Sequence, residues 1–250
     1  MTEVGGGRGR IELRADFIGH DDPVALTAVD GTRHLDHFRV VGQGMADVDS
    51  GGVKQTGPGG IRFTTTNEDQ HSFGIETNVM FDVGLMGTIV AEARVNLVNN
   101  TTKRIFMGFT DIEIASFVPS MEVDLGVGAT VTLTLTASDI CGFILDSELT
   151  AATSWHAMFN GGATTGVTAS ADNVLTPVQT DGEWQTLRVE IDTNGTARWF
   201  IDGDLKKTQT GAASTSVDLK FWLAVEATAA TIATLDVDYV TVRANRDWTR

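Results

Sequence analysis

Hydrophobic and polar residues alternate with a period of two along most of this 250-residue chain. Between Asp181 and Gly203, Leu187, Val189 and Ile191 alternate with Thr186, Arg188, Glu190 and Asp192, the pattern of a half-buried strand. Thr193-Asn194-Gly195 tolerates positive φ and reverses the chain. Ala197, Trp199 and Ile201 then share a face until Asp202-Gly203 turns the chain again. Gly87–Leu97 puts Ile89, Ala91, Ala93, Val95 and Leu97 on one side. Further strands are predicted at Ile11–Phe17, Ile61–Thr64, Ser72–Thr77, Arg104–Phe109, Thr130–Ala137, Gly142–Asp146, Trp155–Phe159, Asp218–Val225 and Thr234–Val242. From Gly19 to Gly60 the pattern weakens to long loops around one or two short strands near His34–Val41. Asp111–Val118 reads equally as a helix or as a loop that ends at Pro119. About 12 to 14 short strands with no clear repeat predict an antiparallel two-sheet sandwich.

The phrase W..L.V.ID..G.ARWFIDG, running from Trp184 to Gly203, resembles the concanavalin A-like jelly rolls, which include laminin-G domains, pentraxins and legume lectins. The succession IVAEARV, RIFMGFTD, CGFILDS, WHAMFNG and GEWQTLRVEID is similar to concanavalin A-like domains among structural proteins of tailed bacteriophages. This resemblance implies an all-β, antiparallel two-sheet jelly-roll sandwich with an extended N-terminal arm. Residues 1–60 are expected to form an arm and loop-rich region packed on a partner or on the sandwich, and residues 61–250 the sandwich itself. The fold hosts lectins, glycanases, adhesion modules and viral coat proteins, so function has to be argued from sites.

Charge and cysteine content narrow the field. A formal charge of −15 argues against broad nucleic-acid binding, which needs a basic surface. The single cysteine, Cys141, excludes an intrachain disulfide and sits in an apolar setting suited to an inert buried thiol. The N-terminus lacks the apolar core of a secretory signal, and no run of about 18 apolar residues exists to span a membrane. Folding in a cytosol is the expectation.

Candidate chemistry is incomplete wherever it is sought. Resemblance to laminarinase-like hydrolases would require E-x-D-x-x-E on a strand. Glu122 and Asp124 supply two of those acids, but Val127 stands in the third place. Glu190 and Asp192 fail in the same way at Gly195. Both pairs also read as the solvated face of a strand, and no enzyme activity is expected. Asp202-Gly203-Asp204 and Asp236-Val237-Asp238 could offer oxygen ligands to calcium, which some proteins of this fold bind, although Asp-Gly is equally a hairpin turn. The motif is incomplete, so no cofactor is expected. His34-x-x-His37 is weak evidence for zinc without further ligands.

Two binding readings remain. For glycans, Trp155 and Trp184 near strand starts, with Asn160 in a loop, are the candidate contacts, while Trp199 and Trp222 belong in a core. For assembly, Arg8 and Arg10 in the glycine-rich arm are candidate partner contacts, or are merely solubilising. The expectation is a virion structural protein that decorates the capsid surface of a tailed phage. Its partners would be the major capsid protein and copies of itself, with no nucleic acid or membrane. A lectin-like module binding surface glycans is the alternative.

Overall fold

The computed structural model describes residues 9–17, 24–25, 34–35, 37–42, 51–54, 60–78, 80–112, 121–124, 137–164 and 173–246. Among the described residues it is an antiparallel two-sheet sandwich, as the alternation predicts. The strands are β1 (Arg10–Asp16), β2 (Val24–Ala25), β3 (His34–Leu35), β4 (Phe38–Gly42), β5 (Gly51–Lys54) and β6 (Ile61–Thr64). Next come β7 (Ser72–Thr77), β8 (Phe81–Asp82), β9 (Ile89–Asn96), β10 (Lys103–Thr110), β11 (Ile140–Asp146) and β12 (Trp155–Asn160). The chain closes with β13 (Val174–Leu175), β14 (Trp184–Ile191), β15 (Ala197–Ile201), β16 (Asp204–Gln209), β17 (Asp218–Ala227) and β18 (Thr234–Asn245). One short helix, α1 (Met121–Asp124), lies between β10 and β11.

Sheet A runs β16-β15-β14-β9-β18-β6-β5-β2, with β1 also paired to β18. Sheet B runs β13-β12-β11-β10-β17-β7-β4-β3, with β8 paired to β17. The described parts of the first 60 residues thus contribute strands to both sheets. Arg10, placed in a free arm by the sequence reading, opens β1 opposite Asn245, and its guanidinium lies 3.4 Å from Glu12. Arg8, Trp248 and the predicted strand over 130–136 lie outside the described residues.

The two sheets differ in how they are buried. In sheet A, β9 and β14 alternate buried and half-exposed residues, so one face meets the core and the other meets solvent. In sheet B, every residue of β10 and β11 is buried. Ile105, Met107, Phe109, Cys141, Phe143, Leu145, Phe221 and Leu223 join the core between the sheets. Their neighbours Phe106, Ile144, Met158, Trp222 and Ala224 form a second apolar cluster on the opposite face, with Met121 of α1 and Leu149 packed there. This is why IFMGF and FWLAV read as unbroken apolar runs.

Tryptophans tie the sheets together across the core. Trp199 Nε1 of sheet A donates to the Gly142 carbonyl of sheet B at 2.7 Å, and its ring packs on Phe159. Trp155 Nε1 of sheet B donates to Gln185 Oε1 of sheet A at 2.9 Å. Each bond satisfies a polar group that would otherwise be stranded in an apolar interior. Cys141 is fully buried, and that burial pushes its thiol well above the usual range, which makes it inert.

β16 escaped sequence reading because DLKKTQ has no apolar alternation. It is an edge strand whose residues are exposed or half-exposed, and lysines suit such an edge. In the middle of sheet B, Gly108 and Gly142 pair directly. A methyl on Gly108 would lie 2.4 Å from Gly142 Cα and 2.5 Å from the Cys141 carbonyl oxygen, both backbone atoms. Gly108→Ala is therefore expected to lower stability by about 1–3 kcal/mol through overpacking. Urea unfolding followed by circular dichroism checks this, and a wild-type midpoint would contradict it.

Candidate functional site

Four connections meet at one end of the sandwich: 97–102 between β9 and β10, 147–154 between β11 and β12, 176–183 between β13 and β14, and 228–233 between β17 and β18. They enclose an open cleft of ≈ 520 Å³ lined by Asn100, Thr101, Thr102, Ser147, Glu148, Ala152, Thr153, Asp181 and Thr228. Apart from Ala152 every lining side chain is polar, and none is basic.

Hydrogen bonds between the four connections preform the cleft. Gly182 N donates to the Leu97 carbonyl at 2.7 Å, Gln179 N to Thr153 at 2.8 Å, and Thr228 N to Thr102 at 3.2 Å. The Ser147 and Thr228 hydroxyls share a bond of 3.0 Å, and Lys103 N donates to Ser147 Oγ at 3.0 Å. Asn100 Nδ2 donates to the Gln179 carbonyl at 3.3 Å. Asn100 is nine-tenths buried, and its Oδ1 accepts from no donor among the described residues. Gln179 Oε1 and Asn96 Oδ1, at the same end, are buried without a donor as well. A buried acceptor left open is costly unless water or a ligand fills it.

Beneath the cleft lies a buried ionic cluster. Arg104, with no exposed surface, donates through Nε to Asp146 at 2.7 Å, through Nη1 to Glu226 at 2.6 Å and through Nη2 to Glu148 at 2.8 Å. Glu122 of α1 approaches Nη1 at 3.7 Å. Burial works against the Arg104 charge, but Asp146 and Glu226 outweigh it and raise its pKa. Burial pushes the Glu226 carboxyl up to about 7 against the pull of Arg104, and pushes Glu148 up as well. Glu226 also accepts from the backbone N–H groups of Met121 and Glu122, pinning the first turn of α1 to the outer face of sheet B. Alongside, burial lowers the Lys103 ammonium to about 8, opposed by Asp181 and Asp236, while Nζ donates to the Thr234 carbonyl at 2.8 Å.

The residues singled out from sequence lie elsewhere. Trp155 is fully buried between the sheets and cannot reach a ligand, because an indole at an inward position of β12 belongs to the core. Trp184 is half-buried on the outer face of sheet A, where the Arg94 guanidinium sits 4.9 Å from its ring centre. Asn160 ends β12 at the opposite end and donates to the Ala137 carbonyl at 2.8 Å. None of the three lines the cleft.

The acidic pairs do not form a catalytic ladder. Met121–Asp124 is helical rather than extended, so Glu122 and Asp124 lack the shared strand face expected of them. Glu190 is 3.3 Å from Arg188, while Asp192 accepts from Arg198 at 2.6 Å and Thr88 at 3.1 Å, and its pKa is lowered chiefly by Arg198. Asp202 and Gly203 both take positive φ in the tight turn between β15 and β16, and Asp202 Oδ1 accepts from Thr186 N of β14 at 2.8 Å. Asp236 is buried and gripped by two nitrogens of Arg62 at 2.6 and 2.9 Å, and Asp238 pairs with Arg94 at 2.6 Å. Among the described residues no group of three or more His, Cys, Asp or Glu side chains is arranged to hold a metal ion. The His34 side chain lies outside them. A smaller cleft of ≈ 250 Å³ on the outer face of sheet A is lined by Glu12, Arg14, Glu92, Tyr239, Thr241 and Arg243. Tyr239 donates to Glu92 at 2.9 Å there, and acids and bases stand in equal number.

No family model and no curated protein sequence matches the chain. Solved structures do match in fold. The carbohydrate recognition domain of Emp47p is 13% identical with a TM-score of 0.55, the alignment covering 94% of each chain. Peanut lectin is 11% identical with a TM-score of 0.54, covering 94% of this chain and 97% of the lectin. A carbohydrate esterase from the Shiga toxin-encoding bacteriophage phi24B is 15% identical with a TM-score of 0.51, covering 94% of this chain and 98% of that one. These likenesses establish a concanavalin A-like sandwich.

The buried cluster makes a test of its own. Glu226 holds its proton to about pH 7 when folded but releases it near its ordinary value of 4.5 when unfolded. As pH rises between those values the unfolded chain binds fewer protons than the folded one, so this group's contribution to stability falls. Glu226→Gln is expected to remove that decline. Thermal unfolding of both forms from pH 4.5 to 7.5 checks it, and parallel pH profiles would contradict it.

Proposed function

We propose that this chain is a non-catalytic, lectin-like module that binds glycans in the cleft at the loop end of the sandwich. The observation that carries the reading is the cleft itself: a preformed hollow whose lining, Ala152 apart, is polar. A volume of ≈ 520 Å³ falls within the range of small-molecule sites and accommodates one or two sugar rings. Sugars present rings of hydroxyls, and a wall of hydroxyls, an amide and two carboxylates can pair with them. No aromatic side chain lines the cleft, so recognition would rest on hydrogen bonds rather than ring stacking. The fold shared with a carbohydrate recognition domain and a legume lectin supports the reading.

A glycan array followed by calorimetry tests it. A saturable, sugar-specific signal is expected, with affinity reduced at least about tenfold by Asn100→Ala, since an amide of the lining is lost. An array with no signal would overturn the reading. Release of reducing ends that disappears in Glu148→Gln would instead mark a glycoside hydrolase, with the acid in this cleft rather than at Glu122.

Capsid decoration is the second reading. It draws on the strand pattern, which resembles that of phage structural proteins, and on a phage carbohydrate esterase that shares the fold. Quantitative mass spectrometry of purified virions decides between the settings. Hundreds of copies per particle would support a shell protein, a few copies a tail-borne lectin, and none would remove the virion setting.

A further inference from the structure

We infer that the loop-end cleft selects saccharides bearing a protonated amino group over neutral and acidic ones, an inference that rests on the glycan-binding reading above. The lining is unbalanced in charge: it holds the carboxyl groups of Asp181 and Glu148, and Asp181 is exposed. Glu148 commits one oxygen, Oε2, to Arg104. The nearby donors are largely committed. Asn100 Nδ2 serves the Gln179 carbonyl, the Thr102 hydroxyl serves the Thr101 carbonyl at 2.8 Å, and one of the Ser147 and Thr228 hydroxyls donates to the other.

The cations are withdrawn too. Arg104 has no exposed surface and is divided among Asp146, Glu226, Glu148 and Glu122. Lys103 is 1% exposed and donates to the Thr234 carbonyl. No lining residue is basic, so a ligand carboxylate or sulfate would find two like charges and no cation. A ligand that complements this lining carries positive charge. An ammonium brings three donors with a charge opposite to Asp181 and Glu148, and ring hydroxyls bring the rest.

Titration calorimetry of the full chain at fixed ionic strength tests the inference, using glucosamine, N-acetylglucosamine, glucuronic acid and methylammonium. Glucosamine is expected to bind about tenfold more tightly than its acetylated form, as suits a charge-assisted bond. Asp181→Asn, an exposed position, should remove most of that preference. Glu183→Gln, exposed on the same connection but outside the cleft, should keep it. Equal or tighter binding of N-acetylglucosamine or glucuronic acid would overturn amino selection while leaving glycan binding in place. Methylammonium binding as tightly as glucosamine would overturn recognition of the sugar. Failure of every saccharide, here and on the array, would remove the glycan reading and this inference with it.

Discussion

A guanidinium with no exposed surface stands near the start of β10, one of the two central strands of sheet B. Arg104 is flanked in register by Glu226 on β17 and Asp146 on β11, so three adjacent strands place one cation between two anions. A buried charge is tolerable only when it is paired and hydrogen-bonded, and each partner here would be left unpaired without the others. The same cation reaches outward to Glu148 in the wall of the cleft and to Glu122 in α1. One residue thereby couples the sheet, the short helix and the rim of the candidate site.

That coupling follows from the unequal burial of the two sheets. Sheet A has one wet face, which carries short ion pairs such as Arg62 with Asp236 and Arg94 with Asp238. Sheet B is covered on both faces, so charges on its outer side must be resolved internally. Glu76 is held by Lys220 at 2.8 Å and by Arg39, and Glu226 by Arg104. With the outer face of sheet B buried, the polar cleft that stays open lies at the end of the sandwich, where connections rather than strands present side chains. Loops held by a rigid scaffold are where binding groups usually reside.

Strand positions were legible wherever alternation was strong. β9, β14, β15 and β18 fall close to where the apolar pattern places them, because a half-buried strand writes its burial directly into a period of two. β16 left no such mark, since an edge strand need not bury alternate residues. Trp199 and Trp222 were recognisable as core residues, whereas Trp155 near a strand start resembled a surface aromatic until its partner Gln185 on the opposite sheet came into view. Glu122 and Asp124 suggested a strand face because their spacing fits one, yet the backbone there is helical and pinned by Glu226, more than 100 residues away.

By itself, then, the sequence determined the fold class, the inward positions of most strands, the acidity of the surface and the inertness of Cys141, all of which follow from local pattern or composition. The candidate site was decided by tertiary structure alone. Asn100, Glu148, Asp181 and Thr228 belong to four separate connections, and each reads locally as an ordinary turn residue. Antiparallel pairing brings those connections to one end of the sandwich, and burial leaves Asn100 with an acceptor that no local pattern could mark as open.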